Sequence, residues 1–271
     1  MYKIRRVNAL AAPSSPPLLG SLLGGFLVLV AGLAALTLGR RRGPLASRRG
    51  TIRAIGYVVV YALSTGGFMR VLQPALLGHE RSPWLLALGD VVFITLGLFV
   101  WVMVLAEGYS LRSLGVRPMP AGRLFLTLVM GAGAAAVYSF GPYQRILTYQ
   151  VHSTPDTLVF SLLWAMAGSA LPEELLFRGF LMGTLERRVG QWARVALPAL
   201  AFAAVRALRF LPGHDLGVAE WLGYIFGVAL PLGLWWGILR ELGGGAIWPC
   251  IVSHFLLEFG PTLAGTTPSP L

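Results

Sequence analysis

Apolar residues run along this chain in long blocks separated by short connectors rich in arginine. Eight blocks are long enough to cross a bilayer as helices: 18–39, 54–77, 83–105, 124–140, 157–185, 193–210, 216–239 and 244–263. The pattern predicts an all-α fold, a polytopic membrane bundle of about eight transmembrane helices. Residues 1–17 form a basic, proline-containing lead, 18–140 the N-terminal spans, 157–263 a core of four spans, and 264–271 a C-terminal tail. Composition agrees. Of 271 residues 56% are hydrophobic and only 12% charged, with a mean hydropathy of +0.71, more apolar surface than a soluble domain of this length hides.

The formal net charge is +11, and nearly all of the basic residues are arginines, Lys3 being the only lysine. They fall between apolar blocks rather than in one patch, so membrane orientation explains them and a nucleic-acid partner is not expected. With eight crossings, one set of loops carries Arg40–Arg42, Arg48, Arg49, Arg53, Arg112, Arg117, Arg123, Arg187, Arg188, Arg194 and Arg240. The other carries Lys3, Arg5, Arg6, Arg81, Arg145 and Arg209, so the first set is expected in the cytoplasm and both termini outside. The first block is too long for a signal-peptide core and runs into arginines, which predicts an uncleaved span. Cys250, the single cysteine, lies in an apolar run and reads as a small core residue.

Charges inside the apolar blocks change the picture. Glu173 and Glu174 stand side by side in 157–185, with Arg178 a turn later. A carboxylate at bilayer depth is costly unless paired. Glu174 and Arg178, four apart on one helical face, can neutralise each other, whereas Glu173 lies about 100° round the helix with no partner in its own segment. Two readings follow: Glu173 is a general base for water, or both glutamates belong to an ion-pair network between helices. Glu173, Arg206 and His254 lie twelve, thirteen and ten residues from the inner ends of their blocks, a depth of roughly 15–20 Å. Three spans therefore bring ionisable groups to one level, and Glu258 lies a turn beyond His254 on the same face. Such a site suits hydrolysis, a metal, or an ion pathway. Glu173, His254 and Glu258 are zinc-ligand types, although His-Glu-x-x-His is absent.

Smaller signals complete the pattern. Gly223-x-x-x-Gly227 and Gly233-x-x-x-Gly237 offer two places for close helix approach. Leu114-Gly115-Val116-Arg117 marks a compact connector. Arg70 and Asp90 lie at matching depths of an expected hairpin and are predicted to pair.

With these residues the chain resembles the CPBP family of intramembrane proteases, which includes type II CAAX prenyl endopeptidases and bacteriocin-processing enzymes. The family signature is Glu-Glu-x-x-x-Arg, Phe-x-x-x-His and His-x-x-x-Asn on successive membrane helices. The first motif is complete here as Glu173, Glu174 and Arg178. The third is carried by His254 behind the lead-in Gly243-Gly244-Gly245-Ala246-Ile247-Trp248-Pro249. The resemblance implies a protease of a bacterial-type cytoplasmic membrane, acting on a membrane-anchored protein or peptide. It implies Glu173 as the base that activates water, Glu174 and Arg178 as its support, and His254 as an oxyanion donor or metal ligand. A divalent metal such as zinc is left open.

Two positions depart from the signature. The second motif ends in Arg206 in place of histidine, and Glu258 replaces the asparagine of the third. An arginine neither exchanges a proton near neutral pH nor ligates a metal, and a carboxylate does not donate to an oxyanion unless protonated. The double replacement predicts compensation, Arg206 pairing with Glu258 first and Glu173 second. Two functions follow: a divergent endopeptidase using Glu173, Glu174, Arg178, Arg206, His254 and Glu258, or an inactive relative that binds a membrane segment as a scaffold or chaperone. A transporter is disfavoured, because no pair of repeat-related broken helices is visible.

Overall fold

The computed structural model describes residues 48–67, 109–139, 148–150, 155–209, 217–263 and 266–268. The expected spans 18–39 and 83–105 and the Arg70–Asp90 pair lie outside the described residues. Six helices are described: α1 Arg48–Gly67, α2 Ala121–Ser139, α3 155–185, α4 Gln191–Arg209, α5 Val218–Leu242 and α6 Trp248–Leu263. Each coincides with an expected span; α1 begins six residues early and takes Arg48, Arg49 and Arg53 out of the expected loop. By length and composition alone, two stretches among the described residues suffice to cross a membrane, Ala121–Tyr138 and Val218–Leu242. Among the described residues the fold is helical apart from one short antiparallel pair, β1 Thr148–Gln150 against β2 Thr266–Pro268, with Tyr149 opposite Thr267. Part of the expected tail therefore closes against the segment that precedes α3.

Neither α3 nor α5 is a uniform α-helix. Wider π-type turns occupy Trp164–Ala170 and Leu175–Leu181 in α3 and Ile225–Ala229 in α5. Two of them end just before a proline, Pro172 and Pro231. A proline inside a helix has no N–H to give and its ring crowds the carbonyl four residues back, so the preceding turn opens. In α3 the short α-turn Leu171–Glu174 is held between two such segments, and it carries both glutamates of the first motif.

Polarity is arranged inside out. Ile52, Ile55, Val59 and Leu63 of α1 and Phe125, Leu126, Val129 and Val137 of α2 face outward. Glu173, Glu174, Arg178, Arg206, Arg209, His254 and Glu258 are buried. Lipid tails solvate aliphatic side chains as well as a core does, so charges and close packing, not apolar burial, decide what points inward. Around the buried charges α6 packs on α2 and α3, and α4 packs on α5 and α1.

Of the two glycine pairs in α5, Gly233 and Gly237 mark the close approach. A Cβ on Gly233 would lie 3.1 Å from the Ala199 backbone, and one on Gly237 2.9 Å from Val195. Gly223 and Gly227 face open space. The connector ahead of α2 locks onto the lead-in to α6. Gly115 accepts a hydrogen bond from the Ile247 N–H at 3.0 Å, and Arg117 donates to the Gly244 carbonyl. Gly115 has φ +89°, and a Cβ there would stand 2.5 Å from the Gly245 carbonyl oxygen. Gly115→Ala therefore meets left-handed strain and a backbone clash together, and is expected to destabilise the protein by about 2 kcal/mol or more. Thermal unfolding in nanodiscs checks this, and an unchanged midpoint would refute the latch.

Candidate active site

Glu173, Glu174, Arg178, Arg206, Arg209, His254 and Glu258 form one cluster drawn from α3, α4 and α6, joined by Tyr61 of α1. The turn Leu171–Glu174 points its adjacent glutamates to different partners. Glu174 accepts from Arg178 Nη1 at 3.1 Å, the expected i,i+4 pair, and Arg178 also donates to the Gly233 carbonyl at 2.9 Å where α5 comes close. Glu174 Oε1 is further bonded to His254 Nδ1 at 2.9 Å. Against a face of that ring lies Trp236, stacked at 4.1 Å between centroids. Trp236 is itself fixed, donating through its indole N–H to Ser253 Oγ at 3.0 Å, which donates to the Gly131 carbonyl. His254 thus has a ring plane set by α5 and a ring edge set by α3.

Glu173, without a partner in its own segment, finds its partners on other helices. Oε2 accepts from Arg206 Nη2 at 2.9 Å, and Oε1 pairs with Arg209 Nη1 at 2.7 Å and accepts from the Tyr61 hydroxyl at 3.2 Å. Arg209 Nη2 donates in turn to Tyr61 at 2.8 Å. Arg209, assigned from loop counting to an outer connector, is buried in the cluster, because it lies one helical turn after Arg206 on the same face. Tyr61 and Ser169 are also missing from the sequence-derived set. The first sits among apolar residues of α1, and the second is a small hydroxyl in a run of alanine and glycine; the Arg206/Arg209 spacing was the one legible signal.

Arg206 bridges both carboxylates named for it. Its Nη2 lies 2.9 Å from Glu173 Oε2, 3.1 Å from Glu258 Oε1, 3.1 Å from His254 Nε2 and 3.1 Å from Ser169 Oγ. A guanidinium only donates, so where Arg206 donates to His254 Nε2 that nitrogen is the acceptor and the ring proton sits on Nδ1, toward Glu174. His254 in this tautomer is not an oxyanion donor; Arg206 is the donor available. With a neutral imidazole, Glu173, Glu174 and Glu258 balance Arg178, Arg206 and Arg209 charge for charge.

Glu173, His254 and Glu258, the candidate metal ligands, do converge, but on the Arg206 nitrogen. A divalent ion does not fit among them while that guanidinium stays. Among the described residues no group of three or more His, Cys, Asp or Glu is arranged to hold a metal. Beside the cluster, a cavity of about 10 Å³ is lined by Phe202, Arg206, Tyr224, Leu232, Trp236 and Glu258. That is about the least space that accepts one water molecule.

Cys250 is buried with its thiol toward the Trp236 carbonyl, as a core residue. At the end of the bundle away from the cluster, Arg194 makes a two-pronged pair with Glu241 and Arg240 pairs with Glu186 at 2.7 Å. Arg240, counted among loop arginines, is itself buried.

No curated protein and no solved structure matches the chain at a significant level. Residues 155–260, from the start of α3 to near the end of α6, match the family model described as type II CAAX prenyl endopeptidase Rce1-like. With its first motif intact and its motif positions gathered on neighbouring helices, the chain is similar through residues 155–260 to the CPBP family, and it is an integral membrane protein.

Proposed function

We propose that this chain is an intramembrane endopeptidase of the CAAX type. It hydrolyses a peptide bond in a membrane-anchored protein or peptide, with residues 157–263 as the catalytic core. The observation that carries the reading is the placement of Arg206 and Glu258 at one small cavity. In the mechanism we favour, Glu258 takes the proton from a water held there, and the oxygen adds to the scissile carbonyl. An Arg206 N–H donates to the oxygen that becomes negative. The proton then passes from Glu258 to the departing amine, and the C–N bond breaks to leave a carboxylic acid and an amine, between which the acid proton then passes to give carboxylate and ammonium. Glu173 was the base implied by the family resemblance; held by two arginines and a tyrosine, it acts instead by fixing Arg206. Glu174 orients His254.

The same proposal includes eight crossings with the arginine-rich loops in the cytoplasm of a bacterial-type membrane. A scaffold that binds a membrane segment without cutting it is the second reading, favoured by the full engagement of Glu173. Wild type and His254→Ala, each reconstituted with one membrane-anchored substrate, separate the two. Product from wild type alone, located by mass spectrometry, is the expected outcome. Equal retention of uncut substrate by both would overturn it in favour of the scaffold.

A further inference from the structure

Tyr61 reaches the buried charges from α1, a helix that lies outside the stretch matched by the family model. Its side chain is buried, and its carbonyl accepts from Thr65 Oγ1 at 2.7 Å within α1. The hydroxyl works both ways. It donates to Glu173 Oε1 at 3.2 Å and accepts from Arg209 Nη2 at 2.8 Å, while Arg209 Nη1 lies 2.7 Å from the same Oε1. Tyr61, Arg209 and Glu173 thus close a ring of three contacts around one carboxylate oxygen. The other oxygen, Oε2, is left to Arg206 at 2.9 Å. The Arg209 guanidinium also lies 5.2 Å from the centre of the Tyr61 ring, a contact that does not need the hydroxyl.

We propose that Tyr61 is a positioning residue of the peptidase site: its hydroxyl keeps one prong of Arg209 occupied and so reserves Glu173 Oε2 for Arg206. This role rests on the peptidase reading above, in which Arg206 donates to the developing oxyanion. An arginine beside a carboxylate ordinarily grips both oxygens, one with each prong. Arg209 has one prong on Oε1, and Tyr61 holds the other. Without the hydroxyl, that second prong turns to Oε2 and competes with Arg206. The donor that faces Glu258 at 3.1 Å is then loosened. Tyr61 touches no reacting atom in this role; it acts through Glu173.

Tyr61→Phe removes the hydroxyl and keeps the ring beside Arg209. Wild type, Tyr61→Phe and Tyr61→Phe with Arg209→Lys are reconstituted full-length in nanodiscs. For each, kcat per folded chain and KM are measured on one membrane-anchored substrate. Tyr61→Phe is expected to lower kcat about tenfold, the scale of one hydrogen bond to a charged group, with KM within about twofold of wild type. A lysine at 209 has no second prong, so the double variant is expected to turn over at least about threefold faster than Tyr61→Phe. A residue that only packed α1 would lower the thermal midpoint and leave kcat per folded chain alone. A kcat for Tyr61→Phe within about twofold of wild type would therefore overturn the inference, as would a double variant no faster than Tyr61→Phe. Should Tyr61→Phe fail to fold, the double variant decides: folded and active, it supports the inference, and any other result from it overturns the inference. Absence of product from wild type removes the peptidase reading and the role of Tyr61 together. Product from wild type with an unaffected Tyr61→Phe removes the role of Tyr61 alone.

Discussion

Glu258→Gln is expected to slow cleavage of a membrane-anchored substrate by about 10²- to 10⁴-fold while substrate retention stays near the wild-type level. The amide has the shape of the carboxylate but takes up no proton, so the loss belongs to the chemical step. The fold tolerates the exchange because Arg206 keeps its shorter contact, 2.9 Å to Glu173. Single-turnover rates and co-purified substrate, measured side by side, give the answer. Glu173→Gln is the informative contrast. It removes the charge that faces both Arg206 and Arg209, so it lowers stability more than Glu258→Gln, which leaves Arg206 its Glu173 partner. If Glu173→Gln abolished cleavage with the thermal midpoint intact while Glu258→Gln remained active, the base would be Glu173.

Arg206→Ala is expected to cost about 3–5 kcal/mol of stability, the range for stranding one side of a buried ion pair. Here it exposes two carboxylates to each other, Glu173 and Glu258, with His254 between them. Arg206→Ala combined with Glu258→Gln leaves one fewer buried charge and is expected to be more stable than Arg206→Ala alone. The double-mutant cycle should therefore depart from additivity by about 1–3 kcal/mol. Chemical unfolding in mixed micelles measures it. Additive losses would mean that the Arg206–Glu258 contact at 3.1 Å contributes nothing.

Much of this site was legible before any coordinates. Counting inward from the ends of apolar blocks put Glu173, Arg206 and His254 at one level, and the double replacement at 206 and 258 pointed to their pairing. Counting failed at Arg209 because a residue at the end of a block belongs equally to a loop and to a helix. Only the three-residue spacing from Arg206 tells which face it takes. Partners of Glu173 were not legible because spacing within one segment shows only neighbours on that segment, and Tyr61 approaches from α1. The π-type turns of α3 were equally hidden. A proline announces that a turn must open, but which way the glutamates then point depends on helices that the local sequence does not describe.

The one-for-one matching of guanidiniums and carboxylates has an electrical consequence. A charge carried across a membrane exchanges about 2.3 kcal/mol with each 100 mV of potential. A cluster holding three of each sign exchanges almost none when it moves as a unit with its histidine neutral, so the cell's voltage favours no one position of it. Neutralising any single member, Arg209 as much as Glu258, would leave a net charge inside the bilayer. The resting potential would then pull on the bundle, and an energised membrane would hold it differently from a depolarised one.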